Sequence, residues 1–393
     1  MEDYEEVSSD PYAHDPERGI NLSDMDIEQM IGKNLILPYK FQRNYTDQEQ
    51  KPPPCSYDAR LGNTVYLLEA DARNTIIHQD KRVLEELVKV SKPVSIESGY
   101  ELKKGYTYVI PLLESVVLNG SVKSIKCSPK SSLGRLFINS RLISDFNIYF
   151  NELSSNIPRN EHINMYLMIT PLAFNIIVHP GIEMAQLRFF SGYDSKLSER
   201  ELNRNIERKP ILYHRKKDGS LNPAEHTIIN GGLAIHLDAK AENNNNLIGF
   251  KTRDTPEPID LSKKRFYNPL DFFAPLIFGK NPLIINSNDC LLCSSLEEIH
   301  IPLFFSGELR PYSQSGYEGI EHYAGFFDAG FEATCVGERR STEPKPVELI
   351  HGSVLSILDV YRTNRPKNPY GAGAHYQGQR GVTLPKFFKP FLM

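Results

Sequence analysis

Tryptophan is absent from this 393-residue sequence, cysteine occurs only five times, and long apolar runs are missing. A membrane-spanning helix needs about 18 or more consecutive apolar residues, so no such helix is predicted. The cysteines are odd in number and mostly far apart, which argues against a disulfide framework and favours a reducing, cytoplasmic location. The formal charge of −4 gives no electrostatic support to nucleic-acid binding. Membrane proteins and disulfide-rich proteins are therefore excluded classes.

Short apolar runs, separated by proline, glycine, asparagine and aspartate, make up most of the chain, and long helical periods are rare. We therefore expect a mainly β fold with a few short helices. One helix is predicted at residues 22–32, where Ser23 can cap the first turn, and a charged helix at residues 195–208. The β-type runs are residues 64–68, 106–113, 163–169, 174–178, 233–237, 283–285 and 299–305.

Similar patterns recur in the two halves of the chain and predict an internal duplication. Residues 105–114 resemble residues 288–297, and the sequence Ser131-Ser-Leu-Gly-Arg135 is matched with Ser306-Gly-Glu-Leu-Arg310. The chain is accordingly expected to contain two copies of one β unit. The predicted divisions are a flexible acidic arm at residues 1–20, a first unit at 21–190, a linker with a short helix at 191–225 and a second unit at 226–393.

Zinc chemistry is not supported by the spacing of potential ligands. Cys290 and Cys293 have a spacing found in zinc sites, but no second cysteine pair or nearby histidine pair completes a set of four ligands. None of the eleven histidines has a glutamate two positions later, as the zinc-dependent base deaminases require. We therefore expect Cys290 and Cys293 to be buried strand residues, and we predict no zinc.

Two segments contain the residue types expected of a site for an anionic substrate. In the first, the hydroxyls of Ser131 and Ser132 can donate hydrogen bonds to an anion that Arg135 neutralises. A capped helix with an exposed arginine explains the same pattern equally well. In the second, Asp328 begins an Asp-Ala-Gly-Phe sequence typical of a tight β turn, and Glu338 follows ten residues later.

In combination, these segments resemble the dCTP deaminase branch of the dUTPase-like superfamily. That family has a Ser-Ser-x-x-Arg motif, an Ile-Asp-Pro-Gly-Phe/Trp motif, a glutamate on the following strand and a C-terminal segment containing tyrosine and glutamine. The C-terminal segment corresponds here to residues 369–379, and residues 55–62 match the family's Ser-Tyr-Asp-x-Arg-Leu-Gly strand. The resemblance covers most of residues 22–390 and is closest to the two-domain bacterial members.

Several positions depart from the family pattern. Ala329 replaces the proline of the turn, Phe326 stands where single-domain members have an arginine, and the basic residue of the tail falls at His375. The first copy has no Asp-x-Gly-Phe turn, and residues 306–310 of the second copy lack the paired serines. We therefore expect a composite site, with the serines and arginine from the first unit and the turn and glutamate from the second.

The resemblance implies two dUTPase-like distorted jelly-roll (β-clip) domains and an enzyme that hydrolyses the 4-amino group of dCTP, giving dUTP and ammonia. Glu338 would be the general base that activates water without zinc. Mg²⁺ is expected as the counter-ion of the triphosphate, dTTP as a candidate inhibitor, and a trimer or dimer as the assembly. The implied substrate contacts are Lys130, Ser131, Ser132 and Arg135 for phosphate, Asp328 for the deoxyribose hydroxyl, Ala324, Val336 and Gly337 for the pyrimidine edge, and Tyr370, His375 and Gln379 for closure over the triphosphate.

Other functions remain open for the same residues. A dUTP diphosphatase, or a bifunctional enzyme that forms dUMP, would use the same phosphate contacts but attack phosphorus. A regulatory protein would keep the fold and bind nucleotide without turnover. The intact serines, arginine and glutamate disfavour the regulatory function, whereas Phe326 favours it.

Overall fold

The structure is a computed structural model that describes residues 19–37, 51–69, 76–154, 157–192, 195–242, 246–279, 283–311, 320–321, 325–371 and 374–391. Strands predominate in these ranges, which confirms the mainly β class. The arm predicted at residues 1–20 lies outside the described residues except for its last two positions. Within the described ranges, no helix has the length and apolar character needed to cross a membrane.

The helices of the described residues are short: α1 (Asp24–Gly32), α2 (Val83–Val90), α3 (Ser131–Gly134), α4 (Glu199–Arg208) and α5 (Pro269–Phe272). Helices α1 and α4 confirm the two helices predicted from the sequence. Each begins with a capping box, in which the backbone N–H of Ser23 donates to Asp26 Oδ2 at 2.8 Å and that of Ser198 donates to Glu201 Oε2 at 2.9 Å.

The first half of the chain forms two main sheets and a short strand pair. One sheet has the order β4-β3-β6-β10-β8, with β1 also paired to β6; the other has the order β2-β12-β7-β9; and β5 pairs with β11. The strands are β1 (Ile36–Leu37), β2 (Tyr57–Arg60), β3 (Thr64–Leu68), β4 (Pro93–Ser95), β5 (Tyr100–Leu102), β6 (Thr107–Val117), β7 (Ser124–Pro129), β8 (Ile138–Ser144), β9 (Glu152–Leu153), β10 (His162–Pro171), β11 (Ile176–Val178) and β12 (Glu183–Phe190).

The second half contains fifteen strands within the described residues. They are β13 (Leu212–Arg215), β14 (Leu221–Pro223), β15 (Ile228–Ile229), β16 (Gly232–His236), β17 (Leu247–Thr252), β18 (Ile259–Asp260), β19 (Phe273–Ile277), β20 (Ile284–Ile285), β21 (Cys290–His300), β22 (Phe305–Arg310), β23 (Ile320–Glu321), β24 (Phe326–Phe327), β25 (Glu332–Ser341), β26 (Val347–Glu348) and β27 (Val354–Arg362). Strands β13 and β14, which lie in the segment predicted as a linker, join a sheet through the pairing of β13 with β21.

The strand pairing of the first half is repeated in the second. The series β4-β3-β6-β10-β8 corresponds to β19-β17-β21-β25-β23, and β2-β12-β7-β9 corresponds to β16-β27-β22-β24. The match of residues 105–114 with 288–297 agrees with this order, because it aligns β6 with β21. The match of Ser131-Ser-Leu-Gly-Arg135 with Ser306-Gly-Glu-Leu-Arg310 is wrong, because residues 306–310 lie in β22, the counterpart of β7, whereas α3 follows β7. Residues 312–319, which follow β22, lie outside the described residues.

The strand predicted at residues 299–305 is also wrong. Strand β21 ends at His300 and β22 begins at Phe305, so a turn separates them. Pro302 lies in this turn, and its carbonyl accepts a hydrogen bond from the Phe305 N–H at 3.0 Å. Proline has no backbone N–H to donate to a neighbouring strand, which accounts for the interruption of an otherwise apolar run.

The two halves share the larger of two main hydrophobic cores. Side chains of the second half, including Phe250, Phe272 and Phe273, are buried among those of the first-half strands. Phe387 and Phe388, near the end of the described chain, belong to the same core. The chain therefore returns to the first half after β27, and this return brings its C-terminal segment close to α3.

Candidate active site

A cavity of about 260 Å³ lies where the two halves and the C-terminal segment meet. Strand β2 and the chain around α3 contribute from the first half, and β24, β25 and the turn between them contribute from the second. Residues 374–391 complete the wall and are called the tail below. The predicted site residues that line the cavity are Lys130, Ser131, Ser132, Arg135, Asp328, Val336, Glu338, Tyr370, His375 and Gln379.

Helix α3 places the paired serines at the edge of this cavity. Strand β7 ends at Pro129, and only Lys130 separates it from the first residue of α3. Lys130 has the extended backbone of an N-cap residue, and the chain then turns through Ser131 and Ser132. Arg135 follows the helix with only 3% of its surface exposed, so it is not the exposed arginine of the capped-helix alternative.

The tail contacts the same side chains that the sequence assigns to phosphate. Arg135 Nη1 donates to the carbonyl and hydroxyl oxygens of Thr383 at 2.9 and 2.5 Å, and both Nη atoms lie 3.2 Å from Gln379 Oε1. The guanidinium also stacks on Tyr376, with Cζ 3.8 Å from the ring centroid. The Tyr376 hydroxyl lies 2.5 Å from Ser132 Oγ. In this conformation the tail therefore takes up hydrogen-bonding groups of the predicted phosphate site.

Two carboxylates hold Lys130 at the other side of α3. Its ammonium donates to Asp58 of β2 and, at 2.6 Å, to Glu183 Oε2 of β12. Burial alone would lower the pKa of Lys130, but the charges of Asp58 and Glu183 outweigh burial and raise it. Lys130 is therefore charged, and its position is fixed by the two neighbouring strands.

The turn between β24 and β25 presents Asp328 to the cavity. Its tight geometry requires glycine at Gly330, where φ is +91° and a Cβ would lie 2.8 Å from the carbonyl oxygen of Tyr370. Asp328 Oδ1 accepts a hydrogen bond from the backbone N–H of Cys55, at 2.9 Å. Burial raises the pKa of Asp328 to about 7.

This raised pKa predicts how the Asp328→Asn variant behaves with pH. Between about pH 4 and 7 the folded carboxyl keeps a proton that the unfolded chain has lost, so the contribution of Asp328 to stability falls as the pH rises. Asparagine has no such titration. Urea unfolding at about pH 5 and about pH 8 should show the variant gaining stability relative to the unsubstituted protein at the higher pH. A pH-independent difference would contradict the shift.

Strand β25 places Val336 and Glu338 on the cavity side, as the two-residue period of a strand requires. Glu338 is deeply buried, with 2% of its surface exposed. Gly337 does not line the cavity, because its Cα faces the core of the second half, where a Cβ would lie 3.0 Å from Leu355 Cδ1. Ala324, predicted to contact the pyrimidine, lies outside the described residues.

Phe326, at the position of the family's arginine, is stacked on an arginine from the first half. The Cζ atom of Arg188 lies 4.8 Å from the centroid of its ring. Arg188 is buried and donates to Glu308 of β22 and, at 3.1 Å, to Ser128 Oγ of β7. A guanidinium thus supports the wall of the cavity from behind Phe326, although it comes from another part of the chain.

Several residues that line the cavity were not predicted from the sequence. Asp58 falls in the strand matched at residues 55–62, and no substrate contact was predicted for it; its pairing with Lys130 joins segments far apart in sequence. Tyr376 lies between the predicted residues His375 and Gln379, and this position was the one indication in the sequence that it could line the site. No sequence motif indicates the other missed residues, Gln186 and Lys386. The missed residues of the cavity wall include Asp58, Gln186, Tyr376 and Lys386.

The cysteines are buried free thiols, and Cys290 and Cys293 lie in β21 as expected for strand residues. Burial raises the pKa of Cys290 to about 12 and that of Cys293 to about 11. Among the residues that the structure describes, no group of three or more histidine, cysteine, aspartate or glutamate side chains is arranged to hold a metal ion.

Comparison with known families agrees with this arrangement. The model of the 2'-deoxycytidine 5'-triphosphate deaminase N-terminal domain matches residues 17–193, and that of the C-terminal domain matches residues 207–388. The chain belongs to the dCTP deaminase family. A solved dCTP deaminase, from Agrobacterium tumefaciens, is similar to 89% of this chain over 99% of its own length, with a TM-score of 0.75 and 28% identity.

Curated members of the dCTP deaminase family match only part of this chain. The enzyme of Parafrankia sp., named "dCTP deaminase, dUMP-forming", is 31% identical over 119 residues, or 29% of this chain and 59% of that protein. An enzyme of the same name from Acidothermus cellulolyticus is 32% identical over 119 residues, 62% of its length. That of Mycobacterium leprae is 29% identical over 180 residues, 44% of this chain and 90% of that protein. The chain thus matches less than two thirds of the first two relatives.

Proposed function

We propose that this chain hydrolyses the 4-amino group of dCTP and releases dUTP and ammonia. The observation that carries the proposal is the single cavity that joins Ser132 and Arg135 of the first half with Asp328 and Glu338 of the second. Each half alone lacks part of this set. Membership of the dCTP deaminase family supports the same substrate.

The phosphates bind to Ser131, Ser132 and Arg135, with Lys130 adding charge. Because residues 376–383 of the tail already contact Ser132 and Arg135, this part of the tail withdraws to admit the triphosphate and then closes over it. The size of the cavity supports such a movement. At about 260 Å³ it lies below the roughly 300 Å³ at which ligand pockets usually begin.

The base and sugar bind between β24, β25 and the turn. Asp328 accepts a hydrogen bond from the deoxyribose hydroxyl, and the turn around it leaves no room for a ribose. The backbone beside Val336 reads the pyrimidine edge, and Tyr370, whose ring lies 5.6 Å from that of Phe331, closes this side.

Glu338 acts as the general base. Its carboxylate takes a proton from a water molecule as the oxygen attacks C4 of the pyrimidine, and it gives this proton to N3. It then takes the proton of the new C4 hydroxyl and gives it to the departing amine. The C4–N bond then breaks, ammonia leaves, and a carbonyl forms at C4. The deep burial of Glu338 supports this role, because exclusion of bulk water strengthens its interaction with the reacting atoms.

A second candidate, deamination followed by hydrolysis to dUMP, is favoured by the name "dCTP deaminase, dUMP-forming" of the relatives described above. The two candidates differ in their products. Incubation of the full-length chain with dCTP or dUTP and Mg²⁺, followed by separation of the nucleotides, distinguishes them. We expect dUTP from dCTP; dUMP with pyrophosphate would establish the second candidate, and no turnover would establish a binding protein.

Mg²⁺ enters this proposal as part of the substrate, bound to the triphosphate. We expect deamination to fall when Mg²⁺ is withdrawn and to resist a zinc-selective chelator, because the chemistry assigned to Glu338 needs no zinc. The deamination rate is measured under both treatments. Loss of activity with the zinc chelator, followed by recovery on adding zinc, would refute this assignment.

We further propose that each half is a dUTPase-like distorted jelly-roll and that the enzyme is a cytoplasmic homo-oligomer, trimer or dimer, inhibited by dTTP. The repeated strand pairing supports the two related units. Sedimentation of the purified chain and addition of dTTP to the deaminase assay test the assembly and the inhibition.

A further inference from the structure

Lys386 is a cation of the tail that lines the cavity beside the phosphate-binding segment. It carries no motif that the sequence analysis recognised. Its backbone is anchored by the residues that follow it, because Phe387 and Phe388 are buried in the larger core. The Arg265 N–H also donates to the Lys386 carbonyl oxygen at 3.0 Å.

The charges around Lys386 leave it suited to an anion. Asp58 and Glu183, the carboxylates that act on it, both form ion pairs with Lys130. Lys386 itself has no ion-pair partner among the described residues. Burial, followed by the charge of Lys130, lowers the pKa of Lys386 to about 8. An anion bound near both lysines would relieve this repulsion.

His375 is poorly suited to supply the positive charge of the tail. Burial and then the charges of Arg135 and Lys386 lower the pKa of its imidazole, so the ring is neutral near pH 7. A neutral ring donates at most one hydrogen bond and contributes no charge to phosphate binding. His375 therefore does not provide the positive charge that the family resemblance implies at this position.

We propose that Lys386 binds the phosphate groups of the nucleotide together with Lys130, and that it supplies the tail cation that His375 does not. This inference rests on the proposed function and assigns a further substrate-binding residue. The ammonium donates to phosphate oxygens, and its anchored backbone holds it in place while residues 376–383 move. The nucleotide thus meets one fixed cation and one mobile segment of the tail.

The test uses inorganic tripolyphosphate, which has the charge of the triphosphate but no base or sugar. Isothermal titration calorimetry compares the full-length protein with Lys386→Met, Lys386→Arg and the control Lys389→Met, whose side chain is exposed three residues later. We expect Lys386→Met to weaken binding by roughly 10- to 100-fold, the size of a lost charge-assisted hydrogen bond. Lys386→Arg should retain most of the affinity, and Lys389→Met all of it.

Deaminase kinetics provide a second measurement. Lys386→Met should raise KM for dCTP while kcat changes little, since the contact is the same in the ground and transition states. Equal tripolyphosphate affinity for Lys386→Met and the unsubstituted chain, or no binding by the unsubstituted chain, would overturn the proposal. Weakened tripolyphosphate binding in a protein that does not turn over dCTP would support Lys386 and reject the proposed function.

Discussion

Replacing Glu338 by glutamine is expected to slow dCTP deamination by about 10²- to 10⁴-fold, the range usual for loss of a general base. The amide has nearly the shape of the carboxylate but cannot accept a proton from water. Because Glu338 is buried against the cavity rather than exposed, bulk buffer should not replace it. Initial rates of ammonia release with saturating dCTP give the effect.

Binding must be measured on the same variant, since misfolding would also abolish turnover. Glu338→Gln should bind dCTP with an affinity close to that of the unsubstituted protein. Glu332→Gln is the matched control, because Glu332 lies at the exposed start of the same strand. A Glu338→Gln rate within a few-fold of the unsubstituted rate would remove Glu338 from the mechanism.

The sequence predicts the local elements better than it predicts their contacts. Residues 64–68 form β3 as predicted, α1 begins after the predicted capping residue Ser23, and α4 lies within the helix predicted at residues 195–208. These features depend on side chains close in sequence. The strand wrongly predicted at residues 299–305 also has a local explanation, because Pro302 interrupts the apolar run. The family motifs located Arg135 and Glu338 at one cavity, although nothing in their spacing shows that they meet.

The features of the site that could not be predicted are contacts between segments far apart in the sequence. The pairing of Lys130 with Asp58 and the stacking of Arg188 on Phe326 each join segments from different parts of the chain. The contact between Tyr376 and Ser132 depends on the return of the tail to the first half. Such contacts follow from the order of strands in the sheets, which short residue patterns do not determine.

Replacing Arg135 by alanine is the second change with a large expected effect. We expect kcat/KM for dCTP to fall by about 10²- to 10³-fold, because a buried guanidinium that meets an anion is lost. Arg135→Lys keeps the charge without the planar fork and should recover part of the activity. Thermal unfolding must accompany the assay, since Arg135 also anchors the tail through Gln379 and Thr383.

Mixing these two impaired variants then tests where the site is assembled. Arg135 and Glu338 line one cavity within a single chain, so a chain with either substitution lacks one residue in every site it forms. Arg135→Ala and Glu338→Gln, mixed under conditions that exchange subunits, should therefore show no more activity than the two variants measured separately. Differently tagged chains, recovered together after mixing, confirm that exchange occurred. Activity restored in the mixture would mean that Arg135 of one chain completes the site of another, and that the intrachain cavity is not the catalytic site.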